Sequence, residues 1–153
     1  MGVGGRNTMI HFIHSIISLE KIKARRDPSS KDMNPRFYIF NKSDPHKIVG
    51  DISISNIVRE IFQCGFLGYK IDKKQNGKGI ATEAVGRVIE FAFIRMNLHR
   101  LEANVMPDNI ASIRVLEKLK FEKEGFSKKY LKINDKWEDH VRYSIINNQN
   151  SDV

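Results

Sequence analysis

The sequence predicts one domain of mixed α/β class, built on a sheet with a single parallel crossover near its centre. Three observations predict it. The chain has 153 residues, 41% of them hydrophobic and 29% charged, which is enough apolar material for one compact core without disulfide or metal support. Segments of strand periodicity lie on both sides of segments of helical periodicity. Their order of strands, helix, strand, helix and hairpin is typical of a mixed α/β domain.

The N-terminal segment predicts a helix over residues 8–26. Thr8 is a suitable N-cap, and the isoleucines that follow recur at helical spacing. The prolines of residues 27–35 then end the helix, because proline lacks the backbone N–H that a helix needs. We therefore expect residues 1–35 to form a helix and a linker, with no evident first strand, ahead of a main domain over residues 36–146.

The first half of the main domain predicts three strands. A short strand over residues 36–40 precedes a turn, and alternating apolar and polar residues over 48–57 predict the second strand. The third strand covers residues 61–71. Because only residues 58–60 separate the last two strands, they are expected to form an antiparallel hairpin.

The centre of the main domain predicts a parallel crossover. An apolar stripe over residues 82–97 predicts a long helix, and the strand that follows over residues 100–106 should lie parallel to the strand over residues 61–71. We expect this crossover to be right-handed, as such connections nearly always are.

The last part of the domain predicts a second helix and a closing hairpin. Asn109 ends a turn and is a suitable N-cap for a helix that runs to about residue 119. Residues 126–133 and 140–146 predict the two strands of the hairpin. Residues 147–153 are expected to be a frayed tail.

Two glycines between the third strand and the long helix predict an anion site. Gly77 and Gly79 let the backbone pass close to a ligand, and the helix dipole adds positive potential at the same place. A pyrophosphate suits this arrangement, although a plain tight turn would also use two glycines. Because Ile80 and Ala81 follow Gly79, neither a Walker loop nor a three-glycine dinucleotide fingerprint fits.

Composition excludes several other classes of protein. Cys64 is the only cysteine, so a disulfide framework and a thiolate zinc site are excluded. No apolar segment is long enough for a membrane span, and the N-terminus lacks the layout of a signal peptide, so we expect a cytoplasmic protein with no membrane partner. The formal net charge of +8 attracts anionic partners without choosing among them.

The glycine loop and the second helix together resemble a known family. Residues 76–81, Asn-Gly-Lys-Gly-Ile-Ala, are similar to motif A of the GNAT (Gcn5-related) acetyltransferases, usually written Gln/Arg-x-x-Gly-x-Gly/Ala, with asparagine in the first position. Residues 109–121 resemble motif B of the same family. The Thr-Glu-Ala of residues 82–84 and the Asn-x-x-Ser of residues 109–112 are similar to the RimJ/RimL branch of ribosomal-protein N-acetyltransferases.

The resemblance implies a fold and a cosubstrate. The fold is a mixed, mostly antiparallel sheet with a central splayed pair of parallel strands and helices on both faces. The cosubstrate is acetyl-CoA, with no metal. The main chain at Tyr69 and Ile71 is implied to hold the pantetheine arm, together with Asn109. The pyrophosphate is implied to lie on the loop residues Asn76, Gly77, Lys78, Gly79, Ile80, Ala81 and Thr82.

The resemblance also implies candidates for proton transfer. Many members of the family use a tyrosine to protonate the departing thiolate, and Leu116 stands at that position here. By the resemblance, Ser112 matches the serine that stands in for this tyrosine in the RimL-like branch, and a plain residue of the first helical turn is the alternative reading. The glutamate base of peptide-acetylating relatives falls at Asn104, which leaves Glu102, Glu60 or a water path as the proton acceptor.

The acceptor implied by this branch is the α-amine of a ribosomal protein or another peptide, which would attack the thioester directly in a ternary complex. A small-molecule amine is the alternative acceptor. A coenzyme-A-binding remnant with little turnover and a basic RNA- or ribosome-associated module are the alternative functions. Direct binding of nucleic acid is not required for acetyl transfer. Because residues 1–35 show no evident first strand, we expect one wall of the acceptor groove to be incomplete. A partner subunit, as in a homodimer, would then complete that wall.

Overall fold

The computed structural model describes residues 15–18, 25–26, 33–41 and 43–150. Its strands are β1 (Ser15–Ser18), β2 (Arg25–Arg26), β3 (Met33–Asn34), β4 (Arg36–Asn41), β5 (Asp44–Val58), β6 (Cys64–Ile71), β7 (Arg100–Val105), β8 (Glu122–Ile133) and β9 (Lys136–Ile146). Its helices are α1 (Ile80–Ile94) and α2 (Ile110–Lys118), with short 3-10 turns at Lys73–Gln75 and Asn148–Asn150.

Most strands belong to one mixed sheet. Among the described residues the sheet has seven strands in the order β1-β4-β5-β6-β7-β9-β8, and β2 and β3 form a separate small pair. Every neighbouring pair in the large sheet is antiparallel except β6 and β7, which are parallel. The predicted mixed sheet with one central parallel pair is therefore confirmed.

One apolar cluster joins α1 to the sheet. The buried face of α1 carries Ala84, Val85, Val88, Ile89 and Ala92, which recur at helical spacing. Strand residues from β4 to β7 and from β9 also belong to the cluster. The fully buried ones among them are Phe37, Ile39, Ile52, Ile54 and Leu101. Each such side chain contributes about 1.5–3 kcal/mol when it leaves water, so this cluster holds α1 against the sheet.

The predicted crossover from β6 through α1 to β7 is confirmed, with shifted bounds. α1 begins at Ile80 and ends at Ile94, so it lies two to three residues earlier than predicted. β6 begins at Cys64 instead of residue 61, because Glu60 and Gln63 have positive φ values of 58° and 45° that leave the strand conformation.

The N-terminal helix prediction is wrong where the structure describes it. Ser15–Ser18 is a strand that pairs antiparallel with β4, with Ile16 opposite Phe40 and Ile17 opposite Ile39. β-branched isoleucines suit a pleated strand, and the edge of β4 supplies backbone partners that a sequence pattern does not show. A first strand is therefore present. Thr8 and the rest of the predicted helix lie outside the described residues, apart from β2.

The closing hairpin is confirmed, and the predicted tail is partly wrong. Asn134 and Asp135 connect β8 to β9 with positive φ values of 49° and 65°, as a tight two-residue hairpin turn requires. Asn147 is buried instead of frayed, because its amide donates to the carbonyl of His99 at 2.8 Å and its side chain donates to the carbonyl of Leu98 at 3.2 Å. Residues 151–153 lie outside the described part.

Neither helix of the described ranges is both long enough and apolar enough to cross a membrane.

Candidate active site

The loop between β6 and α1 turns at two glycines. Asp72 caps the short turn Lys73–Gln75 by accepting a hydrogen bond from the amide of Lys74 at 3.1 Å. Gly77 and Gly79 then adopt φ values of 79° and 75°, in the left-handed region that favours glycine. The backbone of this loop therefore needs glycine at both positions.

The loop leaves open space beside the N-terminus of α1. Gly79 is the N-cap, and no side chain caps the helix. The amides of Ile80, Ala81 and Thr82 belong to the first turn, where a helix offers no acceptor of its own. A Cβ atom added at Gly77 or Gly79 would meet no described atom within 4 Å. Amides without acceptors at the positive end of a helix dipole are suited to bind a phosphate.

The two parallel strands separate soon after they meet. Residues 64–66 of β6 pair with residues 100–102 of β7, and no later pair joins these strands in the described structure. Beyond that point β6 continues beside β5 to Ile71, while β7 continues beside β9. The gap between them is a cleft of about 320 Å³. The splayed central pair that the family resemblance implies is present.

One side of the cleft is formed by β6 and the start of α2. The hydroxyl of Tyr69 donates a hydrogen bond to the backbone carbonyl of Ser112 at 3.1 Å, which ties the strand to the helix. Burial raises the pKa of Tyr69, against the smaller opposite effect of this hydrogen bond. Asn109 caps α2 as predicted, since its Oδ1 accepts from the amide of Ser112 at 3.2 Å. All three residues line the cleft.

Charged side chains of β4, β5 and β6 also line the cleft. Arg36, Asp51 and Lys70 line it, and Arg36 Nε lies 3.9 Å from Asp51 Oδ1. Both partners of this ion pair are partly exposed, so water weakens their attraction. The cleft therefore offers one carboxylate and two cationic groups to a ligand.

Two further polar residues in the cleft are deeply placed. His140 is only 3% exposed, and its Nδ1 lies 2.8 Å from the carbonyl oxygen of Glu138. Asn104 has a buried Oδ1 with no hydrogen-bond partner in the described residues. Sequence analysis did not single out His140. The signal that could have found it is its strand spacing from Arg142 and Ser144, which places the three side chains on one face of β9.

Glu102, the predicted base, is engaged elsewhere. Its Oε1 accepts a hydrogen bond from Arg100 Nε at 2.9 Å, and Arg100 Nη2 also binds Glu124 Oε2 at 2.7 Å. Glu124 in turn accepts a hydrogen bond from the hydroxyl of Ser144. The hydrogen bond between Arg100 and Glu124 lowers the pKa of Glu124. The same hydrogen bond is the main cause that raises the pKa of Arg100. Glu102 thus belongs to an ionic network and does not line the cleft.

The other predicted residues divide between the cleft and its surroundings. Tyr69, Asn109 and Ser112 come together in the cleft, whereas Ile71 and the glycine loop lie outside its lining. β6 leads directly into the loop, which joins the two parts of the candidate site. Leu116, at the position of the family's tyrosine, is fully buried in the core and has no catalytic group to offer.

Comparison with known proteins identifies the family. Residues 8–122 match the model of the acetyltransferase (GNAT) domain. The probable N-acetyltransferase YjcK of Bacillus subtilis is 46% identical over 128 residues, which are 84% of this chain and 70% of the relative. The chain therefore belongs to the GNAT acetyltransferase family.

Two solved structures share the fold and add detail. The ribosomal-protein-S5-alanine acetyltransferase of Vibrio fischeri superposes with a TM-score of 0.73 at 44% identity, covering 78% of this chain and 64% of that one. RimJ of Mycobacterium smegmatis, solved in complex with CoA-disulfide, superposes with a TM-score of 0.70 at 30% identity, covering 78% and 56%. The chain thus spans less than two thirds of each of these relatives.

Proposed function

We propose that this chain transfers the acetyl group of acetyl-CoA to the α-amine of a protein or peptide, with a ribosomal protein as the favoured acceptor. The observation that carries the proposal is the continuous path from the glycine loop at the N-terminus of α1 into the splayed cleft between β6 and β7. The family and the CoA-bound relative from Mycobacterium smegmatis support the choice of cosubstrate.

The described residues fit acetyl-CoA. Gly77 and Gly79 adjoin space that a Cβ atom would enter, and the amides of residues 80–82 would hold the pyrophosphate. The backbone of β6 beyond residue 66 has lost its partner on the β7 side, so an extended pantetheine arm would pair there like an additional strand. Tyr69 and Ile71 lie in this stretch. The helix cap uses only Oδ1 of Asn109, so the side-chain N–H₂ group of this residue would also donate a hydrogen bond to the pantetheine arm.

Acetyl-CoA would supply a thioester carbonyl that an amine can attack, and the chain's residues would position the amine and move protons. The main chain of β6 would donate to the carbonyl oxygen, where negative charge develops. Ser112 would donate a proton to the departing sulfur from the first turn of α2. Tyr69 holds that turn in place through the carbonyl of the same residue.

The charges of the cleft support a peptide acceptor over a polyamine. A peptide N-terminus carries one positive charge followed by neutral amides, which matches one carboxylate, Asp51, beside the hydrogen-bond donors of Arg36 and Lys70. A polyamine carries several positive charges, and the two cations of the cleft would repel them. The Vibrio fischeri relative, named for acetylating an alanine of ribosomal protein S5, supports the same class of acceptor.

The proposed site is tested by a charge change in the glycine loop. Gly79→Asp places a carboxylate beside the proposed pyrophosphate, and Gly79→Asn is its uncharged match, since both residues tolerate a left-handed backbone better than most. We expect calorimetry to show that acetyl-CoA binds Gly79→Asp with a dissociation constant at least about tenfold larger than it binds Gly79→Asn. The reason is that the aspartate carboxylate and the pyrophosphate, both negative, would meet at close range. Equal affinities in two folded variants would remove the loop from the site.

The proposed reaction is tested by release of free CoA thiol. The wild-type chain should release thiol with a peptide that begins with alanine and much less with spermidine. Thiol release without any added amine, or faster release with spermidine than with the peptide, would contradict the peptide assignment. Binding of acetyl-CoA without release under any acceptor would instead indicate a CoA-binding protein without turnover.

A further inference from the structure

We propose that His140 is the catalytic residue that accepts the proton of the acceptor ammonium group. The inference rests on the proposed acetyl transfer and assigns a group that neither the sequence motifs nor the family match marks. In this role of base, His140 takes the place that the sequence assigned to Glu102, which the structure holds in the ionic network with Arg100.

The first argument is the tautomer of the imidazole. Nδ1 of His140 lies 2.8 Å from the carbonyl oxygen of Glu138. A carbonyl oxygen can only accept a hydrogen bond, so Nδ1 must carry the proton of that bond. In the neutral ring Nε2 then has a lone pair and no proton. The backbone of β9 thus holds the ring in the form that can take up a proton at Nε2.

The second argument is the position of the residue. Asn104 of β7 pairs with Arg142 of β9, and strand alternation places His140 on the same face as Arg142. Asn104 and His140 both line the cleft where β6 and β7 have separated. The unpaired Oδ1 of Asn104 is a hydrogen-bond acceptor suited to the same ammonium group. An ammonium group in this part of the cleft would meet two acceptors, of which only the imidazole can remove a proton.

The third argument is the state of the other ionisable groups. Four of them line the cleft with His140. Arg36 and Lys70 are cations at neutral pH, and the carboxylate of Asp51 is paired with Arg36 at 3.9 Å. The fourth is Tyr69, whose hydroxyl donates to the carbonyl of Ser112 and whose pKa is raised by burial. On its own strand His140 has Glu138 and Arg142 two residues away, and the ring of Tyr130 on β8 lies 6.2 Å from the imidazole. Among the groups that line the cleft, the imidazole is the one that in its neutral form offers a free nitrogen lone pair, because the bond of Nδ1 to the Glu138 carbonyl leaves Nε2 unprotonated.

The proton step balances as follows. An N–H bond of the R–NH₃⁺ group breaks, its electron pair stays on nitrogen, and the proton forms an N–H bond at Nε2 of His140. The neutral amine then forms the new N–C bond to the acetyl group as the C–S bond breaks. The sulfur takes one proton from Ser112, which recovers it from the second N–H of the amine through water. The imidazolium returns its own proton to solvent through the open cleft.

The test uses His140→Asn in the full 153-residue chain. The Asn amide N–H₂ group can still donate to the Glu138 carbonyl, as Nδ1 does, but the base at Nε2 is lost. His99→Asn is the matched control, because His99 is exposed and lies outside the cleft. We expect His140→Asn to lower kcat/KM by about 10²–10⁴-fold with an alanine peptide, and to remove an acidic limb of the pH profile that both wild type and His99→Asn keep.

Binding measurements separate catalysis from structure. Acetyl-CoA affinity and melting temperature should stay near wild type in His140→Asn. The imidazole proton signal of His140 is assigned as the one that the spectrum of His140→Asn lacks. In the wild-type chain without acetyl-CoA, this signal should shift in an NMR titration with the peptide. An unchanged pH profile in the variant, or no shift of that signal, would overturn the assignment. A wild-type chain that acetylates no amine would overturn the proposed function instead.

Discussion

At the scale of single residues, the motifs predicted backbone roles better than side-chain roles. Gly77, Gly79 and Asn109 have the conformations or bonds that their residue types suggested, because those are dictated within a few positions of the chain. Glu102 does not line the cleft, since its partner Arg100 is itself bound to Glu124, which lies 22 positions away from Glu102. Side-chain roles that depend on distant partners cannot be predicted from local spacing.

Ser112 is the residue whose two possible roles are most easily separated. If its hydroxyl protonates the departing sulfur, Ser112→Ala should lower kcat by about 10²–10⁴-fold, because that bond matters only as the C–S bond breaks. Acetyl-CoA affinity should change little. Steady-state kinetics beside calorimetry check this result.

The melting temperature provides the control for Ser112→Ala. The amide of Ser112, and not its hydroxyl, binds the Asn109 cap, so removal of the hydroxyl should leave the cap intact. A variant with wild-type kcat would show that the serine is only part of the helix start, and a water path would then have to deliver the proton.

At the scale of elements, the end of α2 places a residue with a side chain in a conformation that favours glycine. Lys120, which follows the helix, adopts a φ of 69°. Its amide donates to the carbonyl of Glu117 at 3.1 Å, and the amide of Phe121 donates to the carbonyl of Leu116 at 3.0 Å. These two bonds form a Schellman motif, which favours glycine at the residue with positive φ.

Lys120→Gly should therefore stabilise the protein. A left-handed backbone costs a residue with a Cβ about 1–2 kcal/mol, which exceeds the roughly 0.5–1 kcal/mol that the extra unfolded-state entropy of glycine costs. We expect a net gain of about 0.5–1 kcal/mol, measured by urea unfolding. Lys118→Gly, within the last turn of α2, is the control and should lose about 0.5–1 kcal/mol. A loss of stability in Lys120→Gly would show that the lysine side chain makes a compensating contact.

The elements also show why the N-terminus was predicted incorrectly. The long stripe of α1 has more than four turns of periodic evidence, whereas Ser15–Ser18 has four residues, with isoleucines that fit either a helix face or a strand. The edge of β4 decided between them. Asn147 was predicted as tail for a similar reason, since its partners His99 and Leu98 are close only after the sheet has formed.

At the scale of the whole molecule, the cleft depends on how firmly β6 and β7 are joined below it. The pairing covers only residues 64–66 and 100–102, and the buried thiol of Cys64 lies at its first position. Burial raises the pKa of this thiol to about 11 from an ordinary value of 9.0. The native thiol is therefore neutral and enclosed, and a reagent can reach it only when the sheet opens.

The lone cysteine thus reports opening of the short pairing between β6 and β7, next to the candidate site. At pH 8, dithiobisnitrobenzoate should label Cys64 far more slowly than an unfolded chain. In our proposal acetyl-CoA pairs with β6 and the glycine loop, which requires the folded chain, so at about 100 times its dissociation constant it should slow labelling by about 100-fold. Gly79→Asp should show no such protection at the same concentration, and Gly79→Asn should keep it. The raised pKa adds stability that is complete below pH 9 and is lost as pH rises toward 11, so labelling should accelerate over that range beyond the effect of thiolate formation. If acetyl-CoA leaves the labelling rate unchanged, β6 and β7 open while the cosubstrate stays bound. The paired residues 64–66 and 100–102 would then not be coupled to the acetyl-CoA site.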